Sequence, residues 1–152
     1  MATVEQVQAK LTALINNLSP QARRQLAHNI GQALRKSQQA RIARQQNPDG
    51  TAFEPRKPQK QFGKKKGRIK RKAMFAKLRT AKYLKVWSNG NDVSVGFNGS
   101  NATIANVHQY GLKGTVNKNK GVKVQYAQRE LLGFSDEDVE LIEGLILEQL
   151  SH

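Results

Sequence analysis

Residues 47–72, "NPDGTAFEPRKPQKQFGKKKGRIKRK", cannot be laid into a long helix or a central strand, and this constrains everything around them. Three of the chain's four prolines fall here, at 48, 55 and 58. Each lacks a backbone donor and pushes the preceding residue away from helical angles. Asp49-Gly50 adds a strong turn signal, and few apolar side chains are available for burial. The stretch reads as an extended basic loop between a helical part, 1–46, and an α+β part, 73–152. With 152 residues in all, the two parts belong to a single domain around one core.

The first part begins with a capping box, Thr3 with Gln6, followed by an apolar stripe of Val4, Val7, Leu11, Leu14 and Leu18. Ser19-Pro20 restarts a helix as N-cap and first helical residue. Leu26, Ile30, Ala33, Leu34 and Ile42 continue its buried face up to the stop at "QNPDG", 46–50. The two helices are expected to form a hairpin or bent pair. After the loop, "RKAMFAKLRTAKYL" carries a weaker helical pattern through Met74, Phe75 and Leu78. Leu84 and Val86, then Val93, Val95 and Phe97, alternate about a Ser88-Asn89-Gly90-Asn91 turn, a hairpin signal.

Residues 102–110 read as a short helix closed by Gly111, followed by a Gly- and Lys-rich loop and a strand at 122–126. Ser135 and Asp138 box the start of a final helix carrying Val139, Ile142, Leu145, Ile146, Gln149 and Leu150. The expected order is α-α-loop-α-β-β-α-β-α. That is an α+β fold with a small antiparallel sheet, packed helices and a C-terminal helix. Leu26, Ile30, Val93, Val95, Leu131 and Leu132 are expected to support folding.

Charge narrows the partners. Twenty-six Lys and Arg against eleven Asp and Glu give +15 at pH 7, which favours polyanions and acidic protein surfaces. The charge is also segregated: residues 54–85 hold fourteen cations and one acid, Glu54, whereas 130–152 hold seven acids and no Lys or Arg. A molecule polarised in this way can pair head to tail with its own copies. The run Lys64, Lys65, Lys66, Arg68, Lys70, Arg71, Lys72 is therefore a candidate for assembly or polyanion docking. Non-specific phosphate contact is its alternative use, as in a small basic nucleic-acid-binding protein. Nine scattered aromatics offer no stacking array for a sequence-specific reader.

Enzyme chemistry finds little to work with. The absence of cysteine removes thiolate catalysis and Cys-ligated metals. His28, His108 and His152 are far apart, and His108 reads as structural. "FGKKKG" lacks the order of a phosphate-binding loop. Asp136, Glu137 and Asp138 suit the positive end of a helix better than a metal cluster. No cofactor is expected. The amphipathic N-terminus is unlike a signal peptide, no stretch is apolar enough to span a bilayer, and a soluble intracellular product is expected.

Three segments taken together resemble a known family: "SQQARIARQQNPDGTAFEPRK" at 37–57, "IANVHQYGL" at 104–112 and "YAQRELLGFSDEDVELI" at 126–142. They are similar to the virion morphogenesis, or tail completion, proteins of Mu-like and related contractile-tailed phages, over most of the chain. The likeness is carried by Asn47, Pro48, Asp49, Gly50, Phe53 and Pro55, by His108, Gln109, Tyr110 and Gly111, and by Arg129, Leu131, Leu132, Gly133 and Phe134. One departure is Tyr126-Ala127-Gln128, where similar proteins tend to place a proline before the arginine.

The resemblance implies a non-enzymatic late-assembly protein of the virion, made in the host cytoplasm, that finishes the tail at its head-proximal end for head joining. It further implies a ring of copies, often sixfold. Tail tube or sheath proteins and neck or head-completion proteins would be its partners, with passing DNA as a non-specific contact. In that setting the run at 64–72 becomes a docking arm for acidic partners, and Asp136, Glu137, Asp138 and Glu140 an acidic partner surface.

Overall fold

The structure, a computed structural model, describes residues 3–56, 73–117 and 122–151. The basic run at 64–72 lies outside them. Helix α1, Val4–Asn16, starts at Thr3, whose hydroxyl accepts from Gln6 N at 3.1 Å while Gln6 Oε1 accepts from Thr3 N at 2.9 Å. Helix α2, Pro20–Ala43, starts under Ser19, with Pro20 in the first turn as expected. Strands β1, Leu84–Ser88, and β2, Val93–Phe97, form an antiparallel hairpin in which Val86 pairs with Val95. Its turn is tied by Asn89, whose Oδ1 accepts from Asn91 N and Asp92 N at 2.7 Å each.

Helix α3, Gly99–Tyr110, ends at Gly111, which takes φ 63, a left-handed angle that a side chain would disfavour. Strands β3, Lys113–Asn117, and β4, Val122–Gln125, form a second antiparallel pair with an irregularity between Thr115 and Asn117. Helix α4, Asp136–Leu150, opens with the Ser135–Asp138 capping box.

The α+β class and the antiparallel pairing hold. Three local expectations give way to tertiary contacts. Residues 73–83 form successive turns instead of a helix. Phe75 sits at φ 65, and Gln45 clamps Met74 by accepting from its N at 2.7 Å and donating to its O at 2.9 Å. Met74 and Phe75 are thereby drawn into the core, and weak helical propensity is overridden. The Gly- and Lys-rich loop contains strand β3, so the strands make two separate ribbons. Gly114 hid this strand by interrupting its pattern; it lies so close to Tyr126 that a Cβ would come within 2.8 Å of the ring. Finally, of the hairpin or bent pair expected for α1 and α2, the hairpin does not form: α1 meets α4, and no extended contact joins α1 to α2 among the described residues.

Helix α2 is the spine, with α4 and the β1–β2 hairpin both seated on it. The hairpin approaches at Gly31, where a Cβ would collide with Val86 Cγ1 and reach within 3.2 Å of Val93 Cγ1. The central core gathers Ile42, Phe53, Met74, Ala105 and Leu131, flanked by Phe75 and Phe97. Leu26 is also buried, while Ile30, Val93, Val95 and Leu132 are half-buried.

Candidate functional site

Helix α2 stops at Ala43, earlier than the expected 46–50, with Arg44 as C-cap and Gln45 at the left-handed φ 58, and Pro48 and Gly50 shape the tight turn that follows. Asn47 N donates to Thr51 O at 2.8 Å, Gly50 N donates to Asn47 O at 2.9 Å, and Gly50 takes φ 89. Asp49 Oδ1 accepts from Thr51 N at 2.9 Å and from its hydroxyl at 2.5 Å, which lowers the pKa of the carboxyl. Phe53 N then bonds Gln45 O at 2.7 Å, dropping the Phe53 ring into the core.

The segment 129–133 is stitched to this turn. Asn47 Oδ1 accepts from Glu130 N at 2.9 Å. Pro48 lies against Gly133 so closely that a Cβ there would stand 2.5 Å from Pro48 Cγ. Gln109 on α3 completes the clasp: its Oε1 accepts from Leu132 N at 2.9 Å and its Nε2 donates to Leu132 O at 2.8 Å. One amide side chain thus imitates a strand partner for one backbone residue.

Two buried arginines fix the crossing. Arg129 donates from Nε to Glu54 O at 2.7 Å and from Nη2 to Pro55 O at 3.1 Å, while its own N donates to His108 O at 2.7 Å. Arg41 donates to Gln46 O and Glu130 O, both at 2.9 Å, to Leu131 O at 2.8 Å and to Gln38 Oε1 at 2.5 Å. Burial lowers the pKa of both guanidiniums, opposed by Asp138 and Glu130 around Arg41 and by Glu54 near Arg129. Their forked donors collect loop carbonyls that would otherwise be buried without a partner.

His108 stands edge-on between Phe75 and Tyr126, each ring centroid 4.8 Å away. Burial first, and the Arg129 charge second, push its pKa down to about 4, so the ring is neutral at pH 7. It has a structural setting, with Arg129 Nη1 3.5 Å from its Nδ1. The family-motif residues therefore converge on one corner, where backbone carbonyls and packed rings occupy the polar groups. Tyr110 and Phe134 stand out on its rim, 64 % and 66 % exposed.

The acidic positions divide. Asp136, Glu137 and Glu140 are exposed, but Asp138 is only 1 % exposed and cannot serve a partner surface. Its carboxylate accepts from the Ser37 hydroxyl, from Ser135 N at 3.1 Å and from Gln38 Nε2 at 3.3 Å, tying the start of α4 to α2. Arg41, Gln38 and Ser37 were missed by sequence reasoning. The available signal was a cation and amides on the apolar stripe of α2, a placement tolerated only when such groups have partners.

A groove of about 490 Å³ lies between α2, β2, α3 and residues 132–134, floored by Leu34, Val95 and Ala105 and rimmed by Tyr110 and Phe134. Of the three amides that line it, Gln38, Asn106 and Gln109, the first and last are already engaged, and no carboxylate or histidine lines it, so it offers packing surface and no paired acid and base. Among the described residues no group of three His, Asp or Glu could hold a metal, and no helix is long and apolar enough to cross a membrane.

The model of the phage virion morphogenesis family matches residues 2–151. Tail completion protein S of Escherichia phage P2 is 46% identical over 142 residues, which cover 93% of this chain and 93% of that protein. No solved structure matches significantly. With the match running nearly end to end through the corner just described, the chain belongs to the phage virion morphogenesis family.

Proposed function

We propose that this chain is a structural, non-enzymatic virion protein that completes the phage tail at its head-proximal end and prepares it for head joining. It works as a sixfold ring of copies assembled in the host cytoplasm. The observation that carries the reading is the similarity, along nearly all of both chains, to a protein named for tail completion. Two physical features support it. The motif residues are committed to holding loops together, as a scaffold requires, and the segregated charge suits heterologous contacts that close by rotation.

In this reading the cations at 64–72 dock on acidic surfaces of tail tube, sheath, neck or head-completion proteins, with DNA as a non-specific contact. Asp136, Glu137 and Glu140 form the acidic surface that the chain itself presents. Exposed ion pairs contribute only about 0 to 1 kcal/mol each, so such contacts set register and salt sensitivity through repetition round a ring.

The test is electron microscopy of particles from an infection in which this gene alone is disabled. Filled heads beside detached or wrongly finished tails are expected. Normally joined particles would overturn the reading and leave non-specific nucleic-acid binding, which the net charge of +15 favours, as the function to pursue.

A further inference from the structure

The outward face of α4 carries more apolar surface than a solvent-facing helix needs. Leu147 is 57 % exposed and Leu141 38 %. Glu140, Gly144 and Leu147 succeed one another at i, i+4 and i+7 on this face, with Glu137 and Glu148 alongside. Gly144 is the residue that the monomer does not explain. A Cβ there would meet nothing within 4 Å, and glycine is a poor helix former, so isolated α4 would be better served by alanine. A glycine at the centre of an exposed, leucine-bearing face leaves a shallow seat for a bulky side chain arriving from outside.

The chain's single Trp is placed to be that side chain. Trp87 is 48 % exposed on β1, on the face opposite Val86, which packs on α2 at Gly31. Its ring lies near Gly96, which gives a Cβ at that position a distance of 3.6 Å from Cζ3. Charge complements shape. Residues 77–87 carry Lys77, Arg79, Lys82 and Lys85 without an acid, whereas α4 exposes five acids, Asp136, Glu137, Glu140, Glu143 and Glu148, and holds no cation.

We propose that Trp87 of one copy seats on Gly144 of the next, with Lys85 facing the α4 carboxylates, as a head-to-tail contact between copies. This rests on the ring reading above and names its interface. The run at 64–72 could match the carboxylates, but with only Gly67 and Ile69 among its cations it cannot cover Leu141 and Leu147. The hairpin supplies both an aromatic and a cation. Because α4 and the hairpin are separate elements seated on α2, each copy offers both halves of the contact, and a ring is the arrangement that leaves none free.

The experiment is sedimentation of the full-length chain over a range of concentrations at low and high salt, for wild type, Trp87→Ala, Gly144→Ala and Lys85→Glu. Wild type is expected to self-associate, with each variant weakening association by about tenfold or more. Gly144→Ala, which meets no atom inside the monomer, is expected to raise the melting temperature while it weakens association, a pair of signs that misfolding cannot produce. Lys85→Glu should regain association when combined with Glu140→Lys in the same chain. A wild type that stays monomeric, or variants that associate as wild type does, would overturn the contact. So would loss of duplex-DNA binding by Trp87→Ala with self-association unchanged. Either result alongside unjoined particles in the gene-disabled infection refutes the contact and leaves tail completion standing.

Discussion

The imidazole of His108 is held where its charged form is disfavoured, between two aromatic rings and beside a guanidinium. Its folded pKa, about 4, lies below the ordinary 6.5, so the unfolded chain takes up the proton first. Stability therefore falls as pH drops from about 6.5 to about 4 and levels off below. Because the ring is only half removed from solvent, the loss is tempered to about 1 to 2 kcal/mol. His108→Phe keeps the ring contacts and should flatten this part of the pH dependence. Urea titrations of both proteins at neutral and acidic pH measure the difference, and parallel pH profiles would refute the assignment.

Arg41 is a second single-residue test. Its removal leaves the carbonyls of Gln46, Glu130 and Leu131 without their buried donor. Arg41→Met, similar in length but without donors, should cost about 3 to 5 kcal/mol in a denaturant titration. A loss below about 1 kcal/mol would mean that water or a rearranged loop satisfies those carbonyls.

Among the elements, α2 and α4 respond oppositely to the same substitution. Gly31 faces Val86 and Val93, whose branched side chains have little freedom to retreat, so Gly31→Ala should overpack the α2–hairpin contact. The expected net loss is about 1 to 2 kcal/mol, the propensity gain of alanine notwithstanding. Gly144→Ala in the open should instead stabilise the folded monomer by up to about 1 kcal/mol. Thermal melts under monomeric conditions compare the two, and a stabilised Gly31→Ala would show that the hairpin is not pinned at this point. The β1–β2 hairpin, the end of α3 and the start of α4 follow from Asn89, Gly111 and Ser135, whose bonds are local.

For the whole molecule, net charge and its segregation are the properties that matter. Reversing the charges of Lys64, Lys65, Lys66, Arg68, Lys70, Arg71 and Lys72 should leave circular dichroism and melting of the monomer unchanged and block tail joining in an infection. Joined particles at wild-type yield would remove the run from assembly. The likeness to the P2 protein spans both the helical part and the α+β part.

The sequence by itself determined the features that a few neighbouring residues decide: where α2 and α4 begin, where α3 stops, the hairpin and the family. These rest on caps, turns and periodicity, whose energies act within a few residues. Only the tertiary structure decided that residues 73–83 turn instead of coiling, that 113–117 pair as a strand, and that Asp138 is buried. It alone shows that Arg41 and Arg129 hold loops 74 to 90 residues away in the chain. Buried polar groups must find partners wherever the fold brings them, and that requirement, outweighing small differences in local propensity, has no fixed spacing in sequence.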